Sequence, residues 1–493
     1  MSGRILFGPF DLPMKAATSH FLISGATGTG KTGLVYQLME STLTSIEASS
    51  FRGLIYDSKQ EMLPILSQLG LEDRVIILHP YDKRCSPWDI AEDLSDALAA
   101  QQFASILIPE NTTGTADSSF FDDACRNIIS TVIQSFTLCG HDPHWTFRDL
   151  LVALLYPDHL EQLLTMENSQ SGRAFPPGRR IWDTYFNPKT TDERTRSNIR
   201  SSMNAKLYAF ETVAAAWHQS GNPPFSIKRW QKENSNQFLV LGNEEAARST
   251  IDPINRAIFQ QAASHTLARP EGSDSLTWFF LDEVREAGKL DSLNSLLLRG
   301  RSKGAAVVLS FQDIEGLRHV YGNHLANEIV ANCSNIALLR TNSNDTAEWA
   351  AKAFGTFLVE EVDPSTGFSG TDITSSEVRK RQERQRVQPG ELLYLPLPSQ
   401  RAGVAGFFKD ATAGANEPSF YRLQPSPPRN RWSTVEAHIP IERHGLFLQP
   451  WNEADLNRLG IRPIEHEEPR SKPERPQDPP DEQPSGPPKR PRS

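Results

Sequence analysis

The sequence predicts an α/β fold: a doubly wound, mainly parallel sheet interrupted by an all-α insertion. Two patterns predict the sheet and a third predicts the insertion. Short, almost unbroken apolar runs recur along the chain, as strands covered on both faces require. Helix-like segments lie between them, which is the alternation of a wound α/β core. Between about Ala91 and Trp230 the apolar runs stop and amphipathic segments of helical period replace them.

Taken in order, the first strand is Phe21-Leu-Ile-Ser24, followed by a glycine-rich loop and a helix with Leu34 and Leu38 on one face. Gly53–Asp57 and Val75–Leu78 read as further strands. In the insertion, helices are expected over Phe120–Phe136 and Phe147–Leu164, with Pro157 and Pro176-Pro177-Gly178 as turn signals. The sheet resumes with Phe238–Leu241, Trp278–Leu281, Ala306–Leu309 and Ile336–Leu339, and ends with expected strands at Glu391–Leu395 and Val404–Phe408. The reading divides the chain into a core in two parts, 1–90 and 231–425, an inserted helical domain, 91–230, and a C-terminal extension, 426–465. The last segment, 466–493, is almost all Pro, Glu, Arg, Lys, Ser and Asp. It buries too little apolar surface to offset its ordering entropy and is expected to be disordered.

Composition narrows the class. The 493 residues, 38% hydrophobic and 23% charged, describe an ordinary globular protein of several domains. A net charge of −9 argues against a surface that is basic all round, without excluding a local nucleic-acid contact. Cys85, Cys125, Cys139 and Cys333 form no CxxC pair, so reduced thiols are expected. The 12 histidines, His20 included, show no spacing of a catalytic triad or a metal cluster. No run approaches the ~20 apolar residues that span a bilayer, and the first residues lack a signal-peptide core. A soluble, cytoplasmic protein is the expectation.

The chemistry is concentrated in a few motifs. Gly25-Ala26-Thr27-Gly28-Thr29-Gly30-Lys31-Thr32, with Gly33 after it, fits G-x-x-x-x-G-K-[ST] at every fixed position, between a strand and a helix. Its backbone N–H groups are expected to surround the phosphates of ATP, Lys31 to contact the outer phosphates, and the Thr32 hydroxyl to ligate Mg²⁺. Asp282-Glu283 at the end of the Trp278–Leu281 strand supplies the carboxylates a hydrolase needs. Asp282 is expected in the Mg²⁺ shell and Glu283 as the base that activates water; the bland alternative is a pair that caps the next helix. Gln312, at the tip of the following strand, suits a γ-phosphate sensor or a simple polar strand end. Arg301, on a glycine-flanked turn, suits an arginine finger reaching a neighbouring subunit, a DNA phosphate contact, or a surface guanidinium.

Together the P-loop, Leu281-Asp282-Glu283, Gly300-Arg301-Ser-Lys-Gly304, and Gln312 with Tyr321-Gly322 resemble the type IV secretion coupling proteins, the TraG/TraD-like ATPases of conjugation. Tyr56-Asp57-Ser-Lys59, Ser86-Pro-Trp-Asp89, Phe120-Phe-Asp-Asp-Ala124 and Ile336-Ala-Leu-Leu-Arg340 extend the resemblance over about residues 5 to 410. It implies a RecA-like P-loop NTPase core with an inserted all-α domain, and a hexamer with ATP sites between subunits. It implies work on DNA without sequence preference, with a relaxase and type IV secretion components as partners. Members of the family usually begin with transmembrane helices, and this sequence starts almost directly at the motor, so recruitment to the inner membrane face is expected to run through partners. Two other readings stand beside it: a cytoplasmic HerA/FtsK-like DNA pump of a mobile element, and a nucleotide-gated adaptor that recruits substrates. DNA contacts are sought at Arg173, Arg179-Arg180, Arg194–Arg200 and Arg379–Arg386, the last lining a pore or covering an exposed helix.

Overall fold

The architecture comes from a computed structural model, which describes residues 3–44, 51–110, 116–139, 142–167, 175–233, 236–273, 275–369, 372–399, 401, 403–411, 419–423, 435–461 and 486. The tail, 466–493, thus lies outside the described residues apart from Gly486, and so does Arg173.

A hairpin of β1 (Arg4–Phe7) and β2 (Phe10–Pro13) opens the chain. The first part of the core is β3 (Phe21–Ser24), α1 (Lys31–Leu43), β4 (Phe51–Asp57), α2 (Met62–Gln68) and β5 (Val75–Ile77). The all-α domain follows: α3 (Ile90–Asp93), α4 (Ala97–Leu107), α5 (Ala116–Cys139), α6 (Phe147–Leu155), α7 (Pro157–Thr165), α8 (Pro176–Tyr185), α9 (Glu193–Leu207), α10 (Glu211–Gln219) and α11 (Ile227–Lys232). The core resumes with β6 (Phe238–Gly242), α12 (Arg248–Leu267), β7 (Leu276–Leu281), α13 (Leu293–Arg299), β8 (Ala305–Phe311), α14 (Ile314–Ala331), β9 (Asn335–Leu339) and α15 (Asn344–Ala353). A ribbon of β10 (Thr356–Ser369) and β11 (Asp372–Gln385), then α16 (Pro389–Leu393), β12 (Val404–Lys409), β13 (Ser419–Leu423) and α17 (Glu453–Leu459) complete it.

Nine strands form one sheet in the order β13-β12-β9-β3-β8-β7-β4-β6-β5. From β9 to β5 all neighbours are parallel, and β12 joins β9 antiparallel. The alternation of side chains explains the unbroken apolar runs. On one face Leu22, Leu54, Phe279 and Val307 join a core shared with α12–α15 and the helical domain. On the other, Phe21, Ile23, Ile55, Trp278 and Val308 join a core with α1, α2 and the hairpin. Each strand feeds two cores, so neither of its faces can be polar.

Three expectations need correction. Glu391–Leu395 is no strand: Pro389 starts α16, and Gln388 and Glu391 close a capping box around its first turn. Phe147–Leu164 is two helices, because Pro157 cannot continue α6 and begins α7 at its N1 position. The basic run Arg379–Arg386 does not cover a helix. It belongs almost wholly to β11, paired in register with β10.

Residues 435–461 run from the core to the helical domain. At the core, Lys83 N–H donates to Ile439 O (2.8 Å) and Ile441 N–H to Tyr81 O (3.1 Å). At the helical domain, Trp451 Nε1 donates to Asp149 Oδ1 (2.9 Å), Arg148 pairs with Asp455 (2.9 Å), and Arg458 pairs with Asp142 and Asp149 (2.9 and 2.8 Å). Among the described residues no helix is long and apolar enough to cross a membrane.

Candidate functional site: the C-terminal edge of the parallel sheet

The glycine-rich loop leaves β3 between its two parallel neighbours and is tied to both. Gly25 N–H donates to Phe311 O (3.3 Å) on β8, and Ala26 N–H to Arg340 O (2.7 Å) beyond β9. Gly30 caps α1 with φ 104°, a conformation that favours glycine, and a Cβ there would stand 2.6 Å from Val404 Cγ2. Thr29 Oγ1 donates to Ala26 O (2.7 Å) and rounds the loop inward. Lys31 is only 5% exposed, and its Nζ donates to Gly25 O (2.6 Å) and Ala26 O (3.1 Å). Burial lowers its pKa, and the nearby Glu283 carboxylate opposes that shift. Thr32 lies in the first turn of α1, where unpaired N–H groups and the helix dipole favour an anion.

Asp282 and Glu283 leave the tip of β7, two strands away, and are 2% and 4% exposed. They cap no helix, since turns occupy 282–287 and α13 begins only at Leu293. Asp282 Oδ1 and Glu283 Oε2 are buried without a hydrogen-bond partner. Burial raises the Asp282 carboxyl to about 6, with Lys59 pulling it down and Asp57 pushing it up. Burial also raises Glu283, with Lys31 as the chief opposing charge. Gln312 follows β8, and its Oε1 accepts from Thr27 Oγ1 (3.1 Å), which joins the third strand tip to the loop. Lys31, Thr32, Asp282, Glu283 and Gln312 therefore share one edge of the sheet.

Arg301 does not join them. It sits on a 3₁₀ turn, Arg301–Lys303, before β8, at the opposite edge, beside His20, whose pKa is lowered by burial and further by the Arg301 charge. The seven residues of β8 separate it from Gln312, about 20 Å at ~3.3 Å per residue. Arg301 is exposed and has no reach to the P-loop of its own chain. Two residues quoted above only for resemblance belong to the site's surroundings. Lys59 Nζ is 3.9 Å from Asp282 Oδ2, held on a turn where Asp57 accepts the Glu61 and Met62 amides, both at 3.0 Å. The Tyr321 hydroxyl accepts from Leu290 N–H (3.2 Å) and donates to Gly288 O (3.3 Å), fixing the loop that follows Glu283. The strand-tip position of Lys59 in the sequence hinted at this; Tyr321 was marked by the resemblance alone.

The type IV secretion-system coupling protein DNA-binding domain, as a family model, matches residues 4–411. The chain belongs to that family. Coupling protein TraD of Escherichia coli K12 is 24% identical over 446 residues, covering 87% of this chain and 58% of TraD. Conjugal transfer protein TraG of Rhizobium radiobacter is 32% identical over 408 residues, covering 79% of this chain and 60% of TraG. The chain thus spans about three fifths of these curated relatives. Among solved structures, the unbound conjugative coupling protein TrwBdeltaN70 superposes with a TM-score of 0.66 at 21% identity, over 89% of this chain and 91% of that one. TrwB in complex with ADP and Mg²⁺ does so with 0.66 at 20%, over 89% and 93%. The shared fold is the RecA-like core with its all-α domain.

In this coupling-protein chain the basic residues sought as DNA contacts are partly neutralised. Arg179 pairs with Asp183 (3.1 Å), Arg196 with Glu193, Arg381 with Glu360 (3.1 Å) and Arg384 with Glu361. The structure also brings together three residues that no sequence spacing linked. His79, Glu244 and His438 each bring one ligand atom within 4.8 Å of the others. Their separation of hundreds of positions hid them, because metal-ligand spacing is legible only when ligands share a loop or a helix.

Proposed function

We propose that this chain is an ATPase motor that moves DNA toward a type IV secretion channel in conjugation. The observation that carries the reading is the gathering of Lys31, Thr32, Asp282, Glu283 and Gln312 at one sheet edge, with carboxylate oxygens buried there and unpartnered. Buried carboxylate oxygens without partners destabilise a fold unless a ligand satisfies them. Mg²⁺ fits this donor set, hard oxygens from Thr32 and Asp282 beside phosphate, and when bound it neutralises phosphate charge. That TrwB has been solved with ADP and Mg²⁺, and with an ATP analogue, supports ATP and Mg²⁺ here.

The chain's own residues divide the work. The loop amides and the first turn of α1 hold the phosphates, and Lys31 exchanges the Gly25 and Ala26 carbonyls for phosphate oxygens. Glu283, made more basic by burial, takes the proton of the attacking water, and Gln312 reports the γ-phosphate through its bond to Thr27. Arg301 serves a neighbour's phosphate, since its own lies about a strand length away. This demands a ring, and a hexamer with sites between subunits meets the demand. The DNA is bound through its phosphates without sequence preference. It arrives linked to a relaxase and is handed to type IV secretion components, which also bring the ring to the inner membrane face. The family membership and the names of TraD and TraG support this placement.

A DNA titration of the ATPase rate, alongside particle mass, tests the reading. Stimulation by DNA of any sequence, weakened by salt and accompanied by a ring mass, is expected. A rate indifferent to DNA would leave the nucleotide-gated adaptor as the better reading.

A further inference from the structure

Residues 435–461 are fastened at two ends, and the end at the core carries chemistry that hydrogen bonding does not account for. His79 follows β5, Glu244 follows β6, and His438 belongs to the C-terminal strap. All three stand at the same sheet edge as the P-loop but four or five strands along it, some 20 Å at ~4.8 Å per strand. The His79 and His438 rings stack with centroids 4.8 Å apart. His79 is 3% exposed, and its Nε2 is buried with no hydrogen-bond partner. Room for this ring is built in, because a Cβ on Gly242 would stand 2.3 Å from His79 Cδ2.

We propose that His79, Glu244 and His438 form a binding site for a divalent transition-metal ion of the Zn²⁺ class, which clips the C-terminal strap to the core. Two imidazoles and one carboxylate, with water in a fourth position, suit Zn²⁺, Co²⁺ or Ni²⁺ and suit Mg²⁺ or Ca²⁺ poorly. The outer partners are in place. His438 Nε2–H donates to Tyr81 O (3.1 Å), which leaves its other nitrogen for the cation. Arg443 pairs with Oε2 of Glu244 and leaves Oε1 for the metal. Its guanidinium is also stacked 4.3 Å over Tyr81, so it stays beside the site.

The proton balance at His79 can be followed. Its Nδ1 accepts the Tyr81 amide at 3.2 Å, so the neutral ring carries its proton on Nε2, where nothing accepts it. A buried donor left unpaired costs about 1–3 kcal/mol. Ligation through Nε2 moves that proton to Nδ1. The long Tyr81 contact is given up in exchange. The ligand atoms, now up to 4.8 Å apart, must close by roughly 1.5 Å to meet metal bonds of about 2.0–2.1 Å. Glu244 and His438 are half-exposed and can supply that movement by side-chain rotation.

The test uses the full chain, freed of any affinity tag, stripped with a chelator and titrated with Co²⁺ in excess Mg²⁺ without nucleotide. One Co²⁺ per chain with the visible absorption of a four-coordinate site is expected. His438→Ala and Glu244→Gln, both at half-exposed positions, should each weaken binding by at least the roughly 10–100-fold that loss of a supporting partner causes. Asp282→Asn, at the P-loop end of the edge, should leave the titration unchanged. Zn²⁺ should slow proteolysis within 435–446 in the wild type and not in His438→Ala. Absence of the Co²⁺ band, or a band of equal affinity in His438→Ala with an unchanged circular dichroism spectrum, would overturn the site.

Discussion

Two pairs of buried polar residues, one at each edge of the parallel sheet, are treated in opposite ways. At the N-terminal edge His20 and Arg52 are satisfied. His20 accepts the Val307 amide on Nδ1 (3.3 Å) and donates from Nε2 to Leu297 O (3.0 Å). Arg52, 2% exposed, donates to Trp230 O (2.7 Å), to Ser275 Oγ and to Glu233 O, stitching β4 to the end of the helical domain. At the C-terminal edge Asp282 and Glu283 are as deeply buried, yet each keeps an oxygen without a partner. The difference separates structure from chemistry: satisfied groups hold the sheet and its insertion together, and unsatisfied ones wait for what the site binds.

Substitutions at each edge sharpen that contrast. The largest effect is expected from Lys31→Ala, which removes the cation facing the phosphates and should bring ATP turnover below detection while circular dichroism stays unchanged. Arg301→Ala comes next, with a loss of about 10³–10⁵-fold and nucleotide binding retained. Mixing it with Lys31→Ala chains should restore activity, because a Lys31→Ala chain offers its arginine to an Arg301→Ala neighbour that holds ATP. A rate that never exceeds either pure variant, in mixtures whose mass confirms shared rings, would remove Arg301 from the reaction. Glu283→Gln should lower turnover by about 10²–10⁴-fold and still bind ATP, since the amide keeps the shape and loses the base; single-turnover measurements separate the two.

At the satisfied edge the effects are on stability. Arg52→Ala leaves two backbone carbonyls and a hydroxyl without their donor, and should cost about 3–5 kcal/mol in urea unfolding. The smallest effect has the opposite sign. Asp282 has its folded pKa raised to about 6, so between its ordinary value and 6 the folded state holds a proton that the unfolded chain releases. Stability therefore falls as pH rises through that window, and the full penalty, about 1–3 kcal/mol, is present above it. Asp282→Asn should remove the penalty, raising stability at pH 8 and flattening the profile between pH 4 and 6. An unchanged profile would mean that Asp282 is not strained by its burial.

The sequence by itself determined the sheet and most of the P-loop edge. Residues within one motif are placed by local rules: Gly30 by its positive φ, Lys31 by its position at the start of α1, Asp282 and Glu283 by ending an apolar run. It also determined that the strands are buried twice over, because an apolar run without polar alternation has no exposed face. Misreadings fell where a short segment suited two structures. Leu392 and Leu393 suit a strand or a helix equally, and Pro389 with its capping box decided for the helix. Tertiary structure alone decided that Arg301 lies a strand length from its own P-loop, because the direction of β8 and not its composition sets which end faces the nucleotide edge. It alone brought His438 to His79 and Glu244, since contacts across hundreds of residues depend on how the chain returns and leave no period in the sequence.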